Sequence, residues 1–303
     1  MRCLLIGNFG VGNLGDEALK EYFLSEFPSV EWKIVGIDTP RLPSGLRSFL
    51  SLRWIKTLRE FRATDAVVFG GGSLFTDVES VSACLLWWLH ASAARIFRKP
   101  VHFAFQGVGP FTTRVGEWLA KKSFRHASTI SVRDSLSKKR VDAWGLNKKC
   151  IQSYDPVYQL MKNKKVDVSS KNVLVLIPRM NSGDKFTKAA QDLCKSTTPE
   201  SVHVISMQPD KKSESDYCQR LVATLGNRAE IFPARTLDEL LHRISSVSTV
   251  LTERYHGALA ALALGKKVEI ISQSEGDKLS SLNSKSPGDI SEGETLLRNA
   301  LSC

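Results

Sequence analysis

Short apolar runs alternate with longer amphipathic segments along nearly the whole chain. Each apolar run is four to six residues long or slightly less, which is typical of strands. The predicted strands are Cys3–Ile6, Trp32–Ile37, Ala66–Phe69, Val101–Phe105, Thr129–Val132 and Cys150–Ser153, and then Val173–Ile177, Val202–Ser206, Glu230–Phe232, Thr249–Leu251 and Lys267–Ile271. Strands that alternate with helices in this way favour parallel sheets covered on both faces.

Helical patterns occupy the segments between these runs. The predicted helices are Glu17–Glu26, Trp54–Phe61, Val81–Phe97, Arg114–His126, Asp134–Trp144, Lys185–Cys194, Ser213–Leu225, Leu237–Ile244, Ala258–Leu264 and Gly293–Leu301. The polar, basic stretch KNKKVDVSSKN interrupts the alternation and predicts a linker. We therefore expect an α/β protein of two Rossmann-like parallel-sheet domains facing a cleft, with domain 1–160, linker 161–172 and domain 173–303.

The composition limits the classes of partner that the protein is expected to bind and the cell compartment in which it is expected to occur. The 303 residues are 42% hydrophobic and carry a net charge of +11, which favours nucleic acid, an anionic membrane surface or phosphorylated small molecules as partners. The basic residues are scattered and not interleaved with aromatic residues, so we do not expect nucleic acid. The six cysteines are dispersed without metal-ligand spacing, so free thiols and no metal are expected. The N-terminus lacks the pattern of a signal peptide, which predicts a cytoplasmic protein.

The segment VSACLLWWLHASAA, Val81–Ala94, is the longest apolar stretch. It is shorter than the roughly 20 residues that span a bilayer. One interpretation is a buried helix packed on a sheet or on a subunit partner. The other is that Trp87 and Trp88 dock at a membrane interface while Arg95 and Arg98 contact lipid phosphates, which would place the protein at the inner face of the membrane.

The loop after the first strand spells G-x-G-x-x-G from Gly10 to Gly15. This spacing is that of a dinucleotide-binding loop, and it makes an NAD-dependent oxidoreductase one alternative. However, Asp16 and Glu17 stand at the start of the helix that follows, where they would repel a pyrophosphate. Two carboxylates at this position suit a site for neutral sugar hydroxyls better.

Three further strand ends in the first half carry polar groups or glycine. Gly71 and Gly72, within GGGS, permit close approach of a ligand to the backbone before a helix, or serve a tight turn only. Gln106, within QGVGP, offers an amide to a sugar hydroxyl, or belongs to a structural turn. Arg133 can grip a phosphate or carboxylate, or form an ion pair with a neighbouring acid.

The second half places an acid, a cation and an imidazole at one strand end, in Glu253-Arg254-Tyr255-His256-Gly257. This density of polar groups makes His256 the leading acid/base candidate. Lys278 follows the last strand as a further anion contact. The sequence contains no G-K-[ST], H-E-x-x-H or G-x-S-x-G motif, so it offers anion-binding groups and an acid/base without an obvious nucleophile.

Taken in order, the motifs GNFGVGNLGDEA, GGGSLFTD, QGVGP, SVRDSLS, YDPV and TERYHGALAALALG resemble the polysaccharide pyruvyl transferase family. The resemblance spans about Cys3–Ile271. It implies a fold like that of GT-B glycosyltransferases, phosphoenolpyruvate as donor substrate with no further cofactor, and a saccharide acceptor, nucleotide- or lipid-linked. The implied product is a pyruvate ketal across two sugar hydroxyls of a cell-surface polysaccharide or its precursor.

With this resemblance, roles can be assigned as hypotheses. His256 is the general acid and Asp16 accepts a proton from the attacking hydroxyl or orients it, although the two could act in reverse order. Domain 1–160 becomes the acceptor side. The remaining expected substrate contacts are Arg133, Arg254, Lys278, Gly12, Asn13, Gly15, Gly71, Gly72, Gln106 and Glu253. The segment SQSEGDKLSSLN around Lys278 matches the family pattern only loosely.

Two alternatives stay open besides the NAD-dependent oxidoreductase. A glycosyltransferase that uses a nucleotide sugar could employ the same cations and glycine loops. A binding module for sugars or nucleic acid could keep the fold without its chemistry. The sequence does not specify the acceptor sugar or the oligomeric state.

Overall fold

The first sheet consists of six parallel strands built mainly from buried apolar residues. The computed structural model describes residues 1–78, 80–169, 171–272, 279, 282 and 289–302. The strands are β1 (Arg2–Ile6), β2 (Glu31–Ile34), β3 (Ala66–Phe75), β4 (Val101–Val108), β5 (Thr129–Val132) and β6 (Cys150–Gln152), in the spatial order β2-β1-β3-β4-β5-β6. Every position of β4 is buried, as expected for a central strand covered on both faces.

Helices connect these strands, and side chains cap several of them at the N-terminus. The helices are α1 (Leu14–Glu26), α2 (Leu46–Leu50), α3 (Ile55–Ala63), α4 (Val81–Ile96), α5 (Arg114–Phe124) and α6 (Ser135–Ala143). Asp134 caps α6, since its carboxylate accepts a hydrogen bond from the Ser137 amide at 2.7 Å. Ser80 and Thr113 cap α4 and α5 in the same way.

The second sheet has five parallel strands in the order β11-β10-β7-β8-β9. The strands are β7 (Lys171–Ile177), β8 (Ser201–Ser206), β9 (Ala229–Pro233), β10 (Val247–Thr252) and β11 (Lys267–Ile270). The accompanying helices are α7 (Val157–Asn163), α8 (Asp184–Thr197), α9 (Lys212–Leu225), α10 (Leu237–Ser245) and α11 (Tyr255–Ala263). Both sheets confirm the predicted parallel α/β class, and each predicted strand coincides with an observed one.

The chain divides into two compact units. Two segments belong to a different unit from the residues next to them in the sequence. The first unit contains Met1–Val11, Leu19–Pro156 and Gly288–Cys303, and the second contains Gly12–Ala18 and Val157–Pro287. The final helix α12 (Ser291–Leu301) thus belongs to the first unit, where Tyr22 Oη donates to Glu294 at 3.1 Å. The segment Gly12–Ala18, which contains the end of the glycine loop, belongs to the second unit.

The predicted linker 161–172 does not separate the units. Its first three residues complete α7, its last two begin β7, and the division falls between Pro156 and Val157. A polar, basic stretch of this kind is also typical of exposed connections within a domain.

The apolar stretch forms helix α4 of the first unit and buries one side, with Cys84, Trp87, His90, Ala91, Ala93 and Ala94 inside. Trp87 is buried, which rules out the membrane contact considered for its ring, while the ring of Trp88 lies 6.5 Å from that of Trp118 on α5. No helix among the described residues has the length and apolar character needed to cross a membrane.

Candidate active site

The start of α1 packs directly against His256. A Cβ atom built on Gly15 would lie 1.8 Å from Nδ1 of His256 and 2.2 Å from its Cε1. No side chain fits between them, so glycine at this position permits the imidazole to lie against the backbone. Both residues belong to the second unit, and the carboxylate of Asp16 follows Gly15 directly.

Asn13 shapes the beginning of α1. Its Oδ1 accepts a hydrogen bond from the Gly15 amide at 3.3 Å, and its backbone oxygen accepts one from Glu17 at 3.0 Å. These contacts make Asn13 the N-cap of the helix. The helix consequently begins three residues before the predicted start, and Asp16 occupies its first turn, where it is 8% exposed.

His256 itself lies in the first turn of α11, just beyond the carboxyl end of β10. The turn between them is fixed by Thr252, whose Oγ1 accepts a hydrogen bond from the Arg254 amide at 2.9 Å. Gly257 makes this turn tight, since a Cβ on it would lie 2.9 Å from Thr252 Oγ1. The ring of Tyr255, buried beneath, meets the imidazole edge-to-face at 5.3 Å between centroids.

Arg254 is held by three groups of the second unit. Its Nη2 forms an ion pair with Glu214 and donates to Gln208 Oε1 at 3.2 Å, while its Nε donates to the backbone oxygen of Pro178 at 3.2 Å. Glu214 is fully buried and also accepts hydrogen bonds from Ser206 Oγ at 2.9 Å and the Gln208 amide at 2.7 Å. The guanidinium therefore has a fixed position and a largely compensated charge.

Glu253 also lies at the carboxyl end of β10. It is buried, and its Oε2 accepts a short hydrogen bond from Ser182 Oγ. Ser182 Oγ in turn accepts from the Arg179 amide at 2.8 Å. Glu253 thus ties the β7–α8 connection to the end of β10.

Gly71 and Gly72 do not form a loop ahead of a helix, contrary to the prediction. They lie inside β3, where Gly72 pairs with Gln106 of β4 before the register shifts. Both have a φ of 76°, and a Cβ on Gly71 would lie 2.8 Å from the side chain of Leu19. Glycine is needed here for a strand irregularity packed against α1 rather than for ligand approach.

Gln106 is likewise a structural residue. It is buried within β4, and its Nε2 donates to the backbone oxygens of Phe69 at 2.9 Å and Ala104 at 3.2 Å. Both hydrogen bonds lie within the sheet, and the contact of this amide with a sugar hydroxyl stays a prediction. The side chain instead supports β3 next to its irregular segment.

Arg133 forms an ion pair with a neighbouring acid, which is the second of the two interpretations of this residue. Its side chain is 1% exposed, with Nη1 2.8 Å from Asp155 Oδ2 and Nη2 2.7 Å from Ser73 Oγ. Asp155 is fully buried, so the two charges compensate each other inside the first unit. A phosphate would have to displace this pair to reach the guanidinium, and the expected phosphate contact of Arg133 stays a prediction. Lys278, with Asp277, lies outside the described residues.

Three residues that contact Arg254 or Glu253 were not predicted from the sequence: Glu214, Gln208 and Ser182. Gln208 lies just after β8, Glu214 lies in the first turn of α9 that follows it, and Ser182 lies after β7. Their placement in the segments that follow the carboxyl ends of parallel strands is the signal that could have identified them. Among the described residues, no group of three or more His, Cys, Asp or Glu side chains could hold a metal ion.

Comparison with known proteins gives a family and a fold. The sequence model of the family described as "Polysaccharide pyruvyl transferase" matches residues 13–275. A comparison with curated proteins gave no significant match. Among solved structures, HepE from Anabaena, crystallised with UDP-glucose, is similar with a TM-score of 0.64 and 13% identity over 100% of this chain and 99% of that chain.

Two epimerase structures are similar in the same way. UDP-N-acetylglucosamine 2-epimerase from Rickettsia bellii has a TM-score of 0.61 and 16% identity over 99% of this chain and 96% of its own. The enzyme from Methanocaldococcus jannaschii has a TM-score of 0.60 and 12% identity over 100% of this chain and 99% of its own. At such identities the likeness shows the fold alone, and that fold is GT-B-like, as expected.

Proposed function

The chain belongs to the polysaccharide pyruvyl transferase family and is a transferase, and from this premise we propose that it uses phosphoenolpyruvate as donor and forms a pyruvate ketal on sugar hydroxyls. The acceptor would be a cell-surface polysaccharide or its precursor. One observation carries the proposal: the imidazole of His256 packs on Gly15, so that an acid/base group and the carboxylate of Asp16 belong to one compact unit.

The donor has a phosphate and a carboxylate, and it requires a positively polarised environment. Arg254 stands immediately before the first residue of α11, a nine-residue helix whose N-terminal amides add to the positive potential. Its Glu214 partner fixes the guanidinium and reduces its net charge. The amides of the helix terminus and the largely compensated guanidinium beside them together support binding of the anionic donor, from which phosphate later leaves.

The chemistry requires a proton donor and a proton acceptor around one carbon. His256 donates a proton to the methylene carbon, which becomes a methyl group, and C2 gains cationic character. A sugar hydroxyl attacks C2 and passes its proton to Asp16. The bond from C2 to the phosphate oxygen breaks, the second hydroxyl closes the ketal, and its proton leaves with the phosphate. Holding both groups at the reacting carbon supplies the rate gain.

The acceptor is proposed as a saccharide attached to a carrier. HepE was crystallised with UDP-glucose, and the related fold supports a nucleotide-linked saccharide as one acceptor form. A lipid-linked saccharide is the other form. The acceptor segment would be Gly12–Ala18, where the neutral hydroxyls of a sugar suit the neighbourhood of Asp16 better than a diphosphate does.

The test combines phosphate release with mass spectrometry. Purified protein is incubated with phosphoenolpyruvate and panels of nucleotide-linked and lipid-linked saccharides, and we expect phosphate release only with an acceptor that gains the pyruvyl mass. His256→Gln and Asp16→Asn should each lower the rate by at least about 100-fold, as removal of an acid or base does. His242→Gln, on the exposed side of α10, is the matched control.

Other outcomes distinguish the alternatives. Release of UDP from a nucleotide sugar without pyruvyl transfer would show the glycosyltransferase instead. Nicotinamide binding in a fluorescence titration would favour the oxidoreductase. Saccharide binding without turnover in any condition would leave only the binding module.

A further inference from the structure

The segment between β2 and α3 exposes large apolar residues in a strongly basic surrounding. Helix α2 contains no buried residue, and Leu46 and Leu50 are 74% and 66% exposed. Phe49, Leu52 and Ile55 are exposed as well. We call residues 44–56 the apolar loop. Exposed leucines in such a group are unusual on a protein surface that only meets water.

Residues 39–59, which contain the apolar loop, carry charge of one sign, with Asp38 and Glu60 as the neighbouring acids in the sequence. Residues 39–59 contain five cations, Arg41, Arg47, Arg53, Lys56 and Arg59, and no aspartate or glutamate. Within the described part of the chain, Arg47, Arg53 and Arg59 form no ion pair, and all three are exposed. Their charges are therefore available to an external anionic partner.

The apolar loop has a defined conformation that ring stacking and hydrogen bonds stabilise. The rings of Phe49 and Trp54 stack with centroids 5.6 Å apart, and Trp54 Nε1 donates to the Phe49 backbone oxygen at 2.9 Å. Ser51 Oγ donates to the Ser48 oxygen at 2.7 Å. Leu52 has a φ of 53°, a left-handed conformation that disfavours residues with a side chain. A leucine that is kept exposed in this conformation indicates a use for its side chain.

Lysine and arginine residues that accompany exposed apolar residues, as in the apolar loop, fit an anionic membrane surface best. Anionic phospholipid headgroups attract the cations, and the acyl region accepts leucine and phenylalanine. A folded protein partner would also bury apolar residues, but it would not need the same charge at every flank. Nucleic acid would use the cations and leave the leucines in water.

We propose that the apolar loop docks this protein onto an anionic phospholipid bilayer, with leucine side chains inserted at the interface and arginines on the phosphates. This membrane contact differs from the one that the sequence suggested for Trp87 and Trp88. It is independent of the proposed transferase chemistry. An acceptor carried on a lipid would be presented at the same kind of surface.

Vesicle co-sedimentation tests the proposal with the full chain. We expect binding to vesicles of phosphatidylcholine with about a quarter phosphatidylglycerol, weakening with added salt, and little binding to phosphatidylcholine alone. The double variant Leu46→Ser/Leu50→Ser should lower the partition coefficient by at least about tenfold at unchanged net charge. Arg47→Gln/Arg53→Gln should lower binding to anionic vesicles and flatten its salt dependence.

A matched control carries the same chemical change elsewhere. Ile96→Ser/Val115→Ser replaces two exposed apolar residues of α4 and α5 and should leave binding unchanged. Circular dichroism checks that each variant is folded, as expected for exposed positions. The proposal is overturned if the wild type ignores anionic vesicles or if the control weakens binding as much as the leucine variant. Absence of vesicle binding together with a dimer that Leu46→Ser/Leu50→Ser dissociates would also overturn it, in favour of a second copy.

The vesicle measurement does not depend on turnover. Failure to bind lipid would leave pyruvyl transfer to a nucleotide-linked acceptor untouched. Conversely, an inactive protein that binds anionic vesicles through the apolar loop would contradict only the proposed function.

Discussion

The imidazole of His256 lies so close to the backbone of Gly15 that a single added carbon would stand 1.8 Å from Nδ1. This contact connects the glycine loop near the N-terminus with the acid/base candidate of the second half. The last glycine of the G-x-G-x-x-G pattern thus has a packing role that differs from pyrophosphate approach. The pattern is that of a cofactor loop, whereas in the structure Gly15 leaves room for the imidazole of His256.

Gly15→Ala tests this contact. The methyl group must displace the imidazole, because the backbone of α1 is fixed by the Asn13 cap. A displacement of about 1 Å at a catalytic group can lower the rate by about 100-fold. We expect kcat for pyruvyl transfer to fall by that order while the melting temperature changes little. Gly183→Ala is the control, since a Cβ there meets nothing within 4 Å.

Arg254→Lys separates charge from geometry at the N-terminus of α11, where the donor is proposed to bind. Lysine keeps one positive charge but cannot reproduce the contacts of the guanidinium with Glu214, Gln208 and Pro178 together. We expect KM for phosphoenolpyruvate to rise by about tenfold, since one charge-assisted contact is misplaced. Steady-state kinetics with saturating acceptor measure the change. An unchanged KM would show that Arg254 only supports the fold.

The strands could be predicted from the sequence because burial on both faces leaves a local trace. A central parallel strand must be apolar at consecutive positions, as Val101–Phe105 and Val173–Ile177 are. Turn residues and caps then delimit the elements, as Asp134 does at the start of α6. Neither signal requires knowledge of a distant contact.

The site was less predictable because distant contacts decide it. Glycines are compatible with a loop and with an irregular strand, and only the pairing of Gly72 with Gln106 selects the strand. An arginine at a strand end binds a ligand or a buried acid, and Asp155 decides the case of Arg133. Gly15 could be recognised as a packing residue only once His256 was placed beside it.

Arg133→Met tests the structural role of this buried pair. Removing the guanidinium leaves Asp155 as an uncompensated charge in the core of the first unit, which typically costs 3–5 kcal/mol, and we expect about that loss in the free energy of unfolding. Urea unfolding followed by circular dichroism measures it. The double variant Arg133→Met/Asp155→Leu should recover most of the loss, because the Asp155 charge is then removed together with its partner. A stable single variant with an impaired KM would return Arg133 to the role of donor contact.

Two buried histidines predict how stability depends on pH. His90 accepts a hydrogen bond from the Leu42 amide at 3.1 Å through Nε2 and lies 2.8 Å from the Leu86 oxygen through Nδ1. Burial, with a smaller effect of Arg41, lowers its pKa from the ordinary 6.5 to about 4. Burial also lowers the pKa of His102 to about 4. Both are neutral in the folded protein.

The sign follows from which state binds the proton first. Below pH 6.5 the unfolded chain takes up protons on both histidines while the folded chain does not, until about pH 4. Stability is therefore complete above pH 6.5 and decreases as the pH falls. Each histidine should contribute a loss of roughly 2 kcal/mol between pH 7 and pH 5.

His90→Gln should weaken this pH dependence, although its absolute stability falls with the loss of a buried contact. Urea unfolding at pH 7 and pH 5 gives the difference for wild type and variant, and we expect the difference to shrink by roughly 2 kcal/mol. His242→Gln, at an exposed position of α10, should reproduce the wild-type difference. If His90→Gln shows the same difference in unfolding free energy between pH 7 and pH 5 as the wild type, the loss of stability at acid pH comes from groups other than His90. Replacing His90 removes the proton that its imidazole takes up on unfolding, so an unchanged difference would mean that this uptake does not contribute.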